Sequence, residues 1–222
     1  LSDILYRGRL DIITSNWNGY HRAYVLEDKK FKDIATPTYN IPTKIRTVIS
    51  ADFDNDGYDE IFMNNIGEPN KLFKIKDNGF FEEIKIQTAY ESNGFGTGAA
   101  VADIDEDGIL ELLVSHGESG MQPLTMYKAD IKKNFNYIRI KPQNKFGAPA
   151  RGATVILNSN LRNHAKTIDA GSGYLCQMEP VAHYGIRESE KNISVKIVWT
   201  DGSSQLIEIN ELNKTIEVNQ KK

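Results

Sequence analysis

Apolar residues along this chain come in short runs and short alternations bounded by turn residues. The stretches "RTVISADF" and "EIFMNN", on either side of residues 54–59, are β-branched and apolar in the manner of strands rather than helices. Short apolar runs, "IIT", "IFM" and "LLV", recur in the first 133 residues, each followed by Asn, Ser or Gly. From residue 134 to 219, "NYIRIKP", "GATVILNS", "HAKTIDAG", "SVKIVWT", "SQLIEIN" and "TIEVN" alternate over strand lengths, and Asp201-Gly202 marks a tight hairpin. The pattern predicts an all-β chain: sheet repeats over residues 1–133, then a small antiparallel β-sandwich over residues 134–222.

Self-comparison gives the first region a period of about fifty residues. "DFDNDGYDE" at 52–60 nearly recurs as "DIDEDGILE" at 103–111, and a damaged copy, "DILYRGRLD", keeps Asp3, Gly8 and Asp11. Between the loops, "HRAYVLEDKKFKDI" from His21 aligns with "NKLFKIKDNGFFEEI" from Asn70. A loop, a strand, a turn and two further strands make up one four-stranded propeller blade.

The two full loops hold ten of the thirty acidic residues and no Lys or Arg, in a chain of net charge -3. They are local charge sinks on a surface that is otherwise mildly basic. No basic run with interleaved aromatics forms a nucleic-acid face, and no apolar stretch of about 18 residues suggests a membrane span. Cys176 is the single cysteine, which excludes an intramolecular disulfide and marks it as a buried apolar side chain.

The spacing D-x-D-x-D-G-x-x-(D/E) brings alternate carboxylates round one turn, and its glycine, Gly57 or Gly108, allows a backbone dihedral that other residues resist. Hard cations such as Ca²⁺ take six to eight oxygens at about 2.3–2.6 Å. The expected ligands are Asp52, Asp54, Asp56 and Glu60 with the Tyr58 carbonyl, and Asp103, Asp105, Asp107 and Glu111 with the Ile109 carbonyl. Without a cation, mutual repulsion of these carboxylates would oppose ordering of the loop. An EF-hand shares the opening but needs a Glu at loop position 12 between two helices, where this chain has Met63 and Val114. In the copy at Asp3, Leu5 and Arg7 replace two ligands; Arg7 is expected to put its guanidinium in place of an ion, so that no calcium binds there.

Ahead of the second loop, "NGFGTGAAVADIDEDG" places Phe95-Gly96 and Gly98-Ala99 before the acidic turn. This resembles the FG-GAP, or VCBS, repeat of integrin α-subunit propellers and many secreted microbial proteins. The copy near Thr43 lacks the Phe-Gly pair. The same glycines also read G-x-G-x-x-A, but they run into a strand and a metal loop rather than opening a helix, so a dinucleotide fingerprint is set aside. Downstream, Asn136-Tyr137-Ile138-Arg139, Gly152-Ala153-Thr154-Val155, Gly171-Ser172-Gly173-Tyr174-Leu175, His183-Tyr184-Gly185 and Trp199-Thr200-Asp201-Gly202 resemble the ASPIC/UnbV domain, which follows FG-GAP repeats in the cartilage acidic protein group. Departures from the family pattern are Cys176 for Ser, Ile186 for Leu and Thr200 for Pro.

No catalytic set is visible. His21, His116, His164 and His183 have no zinc spacing, "GSG" at 171–173 lacks the nucleophile-elbow frame, and Asp169 and Glu179 are isolated acids. Three loop positions cannot close a propeller, so either further blades precede Leu1 or another chain covers the sheet edges. The resulting expectation is a calcium-binding, non-catalytic module that binds a protein or glycan partner in an extracellular or periplasmic setting, or else an accessory subunit of a large assembly.

Overall fold

The computed structural model describes residues 1–222 except 77, 119, 132–134 and 222. The described residues form seventeen strands in five sheets, with a single 3-10 turn at Gln87–Tyr90. Three sheets are meanders: β1 (Ile12–Thr14), β2 (Arg22–Glu27) and β3 (Lys30–Asp33); β4 (Ile45–Ala51), β5 (Glu60–Asn65), β6 (Lys71–Ile75) and β7 (Phe81–Ile84); β8 (Gly96–Ala102), β9 (Glu111–His116) and β10 (Thr125–Lys128). Each acidic loop connects the first two strands of its sheet, β4 to β5 and β8 to β9, so strands rather than helices border both. The expected boundary between residues 133 and 134 lies outside the described residues.

The three sheets stack face to face, which explains why "IFM" is apolar without alternation. All six residues of β5 are buried because both faces of its sheet are covered. Ile61 and Met63 pack with Ala23 and Val25 of β2, whereas Phe62 points the other way into a cluster with Ala99, Val101, Leu112 and Val114. Complete burial of a Phe side chain contributes roughly 2 kcal/mol. A register shift between Ile45 and Thr47 sends Ile45 to the first cluster while Ile49 and Ala51 serve the second.

The C-terminal strands form a two-sheet sandwich. One sheet is ordered β14-β11-β17 from β11 (Asn136–Gln143), β14 (Ala182–Ile186) and β17 (Lys214–Asn219). The other is ordered β13-β12-β15-β16 from β12 (Thr154–Asn158), β13 (Asn163–Thr167), β15 (Ser194–Val198) and β16 (Ser204–Glu208). Its pairings are antiparallel except that β17 lies parallel to β11. Between the sheets sit Ile138, Ile140, Val155, Leu157, Tyr184, Val195, Ile197 and Trp199. Trp199 is therefore a core residue.

Residues 171–178, between β13 and β14, leave the sandwich and run along the first strands of two stacked sheets. Met178 Sδ accepts the Val101 amide at 2.9 Å. A Cβ on Gly98 would come within 2.6 Å of both Cys176 Sγ and the Tyr174 carbonyl oxygen, and one on Gly173, at φ +66°, would be driven into the Ala99 carbonyl. The glycines on both sides allow this backbone-to-backbone approach. Gly98→Ala is therefore expected to destabilise the protein by about 1–3 kcal/mol through overpacking, read as a fall of several degrees in the thermal midpoint. An unchanged midpoint would mean that residues 171–178 are not seated on β8.

Candidate metal loops beneath the sandwich

The three loops share one backbone course. The fourth residue of each, Tyr6, Asn55 and Glu106, has φ of 52°, 56° and 60°, and the sixth, Gly8, Gly57 and Gly108, has 74°, 90° and 85°. The damaged copy thus keeps the turn geometry after losing two acidic positions. In each loop one oxygen of the first aspartate accepts the glycine amide: Asp3 Oδ2 from Gly8 at 2.7 Å, Asp52 Oδ2 from Gly57 at 2.9 Å and Asp103 Oδ2 from Gly108 at 3.0 Å. At the other end of the two full loops, Glu60 Oε2 accepts the Phe53 amide at 3.0 Å and Glu111 Oε2 the Ile104 amide at 2.7 Å.

That leaves the second oxygen of each group. Asp52 Oδ1, Glu60 Oε1, Asp103 Oδ1 and Glu111 Oε1 are buried and accept no hydrogen bond. Ligand oxygens of Asp52, Asp54 and Glu60 lie within 4.8 Å of one another, as do those of Asp103, Asp105 and Glu111. A donor set made only of oxygens, with its innermost atoms buried and accepting no hydrogen bond, fits a hard cation of the Ca²⁺ type. Asp56 and Asp107 sit at the outer side, each accepting a loop amide on Oδ1, from Tyr58 at 3.1 Å and from Ile109 at 2.9 Å. The damaged loop differs: Asp3 Oδ1 accepts the Arg7 amide at 2.9 Å, and the Arg7 guanidinium pairs with Asp11 Oδ1 at 3.1 Å.

A lysine reaches each full loop from the next strand. Lys74, across the β5–β6 pair from Glu60, puts its ammonium 3.0 Å from Asp54, 3.6 Å from Glu60 and in contact with Asp56. Lys128, across the β9–β10 pair from Glu111, lies 2.8 Å from Asp105, 2.9 Å from Asp107 and 2.6 Å from Glu111, the last off the direction of a hydrogen bond. Burial pushes the Asp52 carboxyl up to about 7, with Asp59 and Asp56 adding to the rise and Lys166 and Arg162 opposing it. Burial and the neighbouring carboxylates also raise Glu60. Burial would lower Lys74, but its hydrogen bond to Asp56 and the surrounding carboxylates raise it. Sequence reasoning missed both lysines, which stand 14 and 17 residues after their glutamates and meet them only through strand register.

The sandwich closes over all three loops. The first aspartates bond to it: Asp3 Oδ2 accepts the Ala165 amide at 3.0 Å, Asp52 Oδ2 the Gly185 amide at 2.9 Å, and Asp103 Oδ2 pairs with Arg139 at 3.3 Å. Asn55 ties two loops to the sandwich, donating to the Gly108 carbonyl at 2.6 Å and meeting His183 Nε2 at 2.6 Å. Asp59, which has no place in the ligand pattern, pairs with Lys166 at 2.6 Å and His164 at 3.5 Å. Tyr58 lies edge-on to Tyr6, with the Arg187 guanidinium 4.0 Å above its ring. Glu179, set aside earlier as an isolated acid, pairs with Arg139 and accepts the Asp103 amide at 3.1 Å. His183 is a buried, hydrogen-bonded histidine.

Comparison with known proteins agrees with this architecture. The profile of the FG-GAP-like repeat matches residues 3–63 and 52–114, and that of ASPIC and UnbV matches residues 142–222. The chain belongs to the family that joins FG-GAP-like repeats to an ASPIC and UnbV domain. It is 43% identical, over 98% of its length, to Cartilage acidic protein 1 of Homo sapiens and 42% identical over the same share to that of Mus musculus. It spans 35% and 36% of those proteins, about a third of their length.

The histidines at the contact make it acid-sensitive. Burial lowers His164 to about 4, with Asp59 opposing the fall, and burial lowers His183 as well. A histidine whose folded pKa lies below its unfolded value of about 6.5 contributes stability above that value and loses it as pH falls toward the folded pKa. Between pH 7 and pH 5 the histidines lower the thermal midpoint, while the raised carboxyls of Asp52 and Glu60 act in the opposite direction, so the histidine share is read by difference: His164→Gln is expected to lose less midpoint than wild type over that range while lowering the midpoint at pH 7. An equal drop in wild type and variant would remove His164 from this account.

Proposed function

We propose that this chain is a calcium-binding, non-catalytic interaction module in which metal-neutralised loops hold a partner-binding β-array and its sandwich as one body. The observation that carries the reading is the buried, unpaired oxygen at the matching position of both full loops, Asp52 Oδ1 and Asp103 Oδ1, beside Glu60 Oε1 and Glu111 Oε1, which accept no hydrogen bond and meet only the ammoniums of Lys74 at 3.6 Å and Lys128 at 2.6 Å. Asp54, Asp56, Asp105, Asp107 and the carbonyls of Tyr58 and Ile109 would complete the two shells, and the copy at Asp3 would stay neutral through Arg7. Two buried or partly buried acids outside the loops are held in ion pairs: Glu179 with Arg139, and Glu190 with Arg162 at 2.9 Å. No helix among the described residues is long and apolar enough to cross a membrane.

The partner is a protein or glycan, and the setting extracellular, where calcium at about 0.1–1 mM can fill loops of this type. An accessory role within a larger assembly is favoured by two of the stacked sheets having three strands each among the described residues, which leaves the outer edges of β3 and β10 without a described partner strand.

Titrating calcium into chelator-treated protein tests the reading. Binding to the folded state alone stabilises by about 2.7 kcal/mol per site at a hundredfold excess over Kd, and the thermal midpoint should climb by several degrees. A midpoint that stays fixed up to several millimolar calcium would overturn it.

A further inference from the structure

We infer that Lys74 and Lys128 are tethered counter-cations: each neutralises its loop when calcium is scarce, must swing out when calcium enters, and so sets the affinity of its site. This rests on the reading of the two full loops as calcium sites and concerns how those sites are regulated. It is carried by equivalence of register. Glu60 pairs with Lys74 and Glu111 with Lys128, so the last acid of each loop faces a lysine across the same strand pair, although the connecting turns differ in length. Each ammonium touches three carboxylates of its loop.

The damaged loop supplies the contrast. Ile12 pairs with Tyr24, which puts Val25 rather than a lysine across from Asp11, and Val25 is fully buried. There the positive charge comes from Arg7 inside the loop, and Asp3 has both oxygens committed to backbone amides of Arg7, Gly8 and Ala165. A basic group is thus present in every copy, delivered by different positions. In the damaged copy it is permanent. In the full copies it comes from a lysine on the neighbouring strand, no more exposed than Arg7 (26% and 30% against 28%), and the difference is that the buried oxygens Asp52 Oδ1 and Asp103 Oδ1 remain unpaired. A lysine has a free stem on which to retract, and its ammonium regains water on leaving.

An ammonium occupying the negative centre competes directly with a divalent ion, whereas its loss leaves the calcium-free loop with uncompensated repulsion. Lys74→Met and Lys128→Met are therefore expected to tighten calcium binding at one site each by at least about tenfold, while lowering the midpoint of the chelated protein. Lys74→Arg keeps the charge and is expected not to show the tightening of Lys74→Met, and to hold the midpoint of the chelated protein above that of Lys74→Met. Calorimetric titration with calcium chloride reads the affinities, and the untouched loop of each single variant serves as the internal reference. If a Met variant folds only with calcium, chelator back-titration of the loaded protein reads the same affinity. Wild type binding two ions, with Lys74→Met unchanged or weaker at its site, would overturn the inference and leave the calcium reading standing. Absence of binding in wild type and both Met variants would overturn the two together. Binding by the Met variants alone would support the lysines as competitors and overturn the calcium reading for the native chain.

Discussion

The structure depends on how the first aspartate of each loop divides its two carboxylate oxygens. One oxygen accepts the amide of the loop glycine and meets the sandwich, at Ala165, Gly185 or Arg139. In the full loops the other is buried and free of hydrogen bonds, facing the remaining acids. The same side chain therefore closes the turn, docks the sandwich and borders the charge centre. Two unit charges about 4 Å apart interact by about 4 kcal/mol at an effective dielectric of about 20, so charge at that centre cannot change without consequence for the two contacts on the opposite oxygen.

This division also accounts for the residues by which the second half of the chain was recognisable. Arg139 of Asn136-Tyr137-Ile138-Arg139 reaches Asp103, and Tyr137 of the same segment packs over Gly108, where a Cβ would overlap its ring. His183 and Gly185 of His183-Tyr184-Gly185 bond to Asn55 and Asp52. Gly173 of the Gly171–Leu175 segment lies against the Ala99 carbonyl of β8. These three landmarks reach the repeats, while Gly152-Ala153-Thr154-Val155 and Trp199-Thr200-Asp201-Gly202 belong to the sandwich itself, with Ala153, Val155 and Trp199 in its interior beside Tyr184. Part of what looks specific to the sandwich, Tyr137, Arg139, Gly173, His183 and Gly185, is therefore what holds it to the repeats.

What was legible in the sequence follows from the range of each interaction. Carboxylates, glycine and flanking strands of a loop lie within about nine residues, so the loops and even their damaged copy could be read from spacing. The alternation of "SVKIVWT" and "TIEVN" gave strands, but nothing local indicated that β17 would run parallel to β11 from 76 residues away. Lys74 and Lys128 look like any exposed strand lysine until the hairpin register is known. Asp59 looks like one more acid of the sink and is instead the partner of Lys166 and His164, more than 100 residues distant. Gly98 matched the repeat pattern, but its steric reason lies in residues 174–176.

Charge compensation in the three loops proceeds by three degrees of commitment to the same problem. In the copy at Asp3 the loop carries its own guanidinium, both oxygens of the first aspartate are taken by amides, and Asp11 is fully buried against Arg7. At Asp52 the centre is buried, the sandwich lies close enough for Gly57 to face the Arg162 guanidinium, and the lysine arrives from the neighbouring strand. At Asp103 the outer acids are solvent-exposed, with 60% and 46% of the Asp105 and Asp107 side chains accessible, and the sandwich contributes Arg139, Glu179 and the Tyr137 ring over Gly108. Burial strengthens both the repulsion between like charges and the reward for neutralising it, because the effective dielectric falls as water is excluded. The loop at Asp52 is therefore the one whose state of charge is most tightly bound to the docking of the two halves, and the loop at Asp103 the one best able to change its state of charge while the fold stays intact.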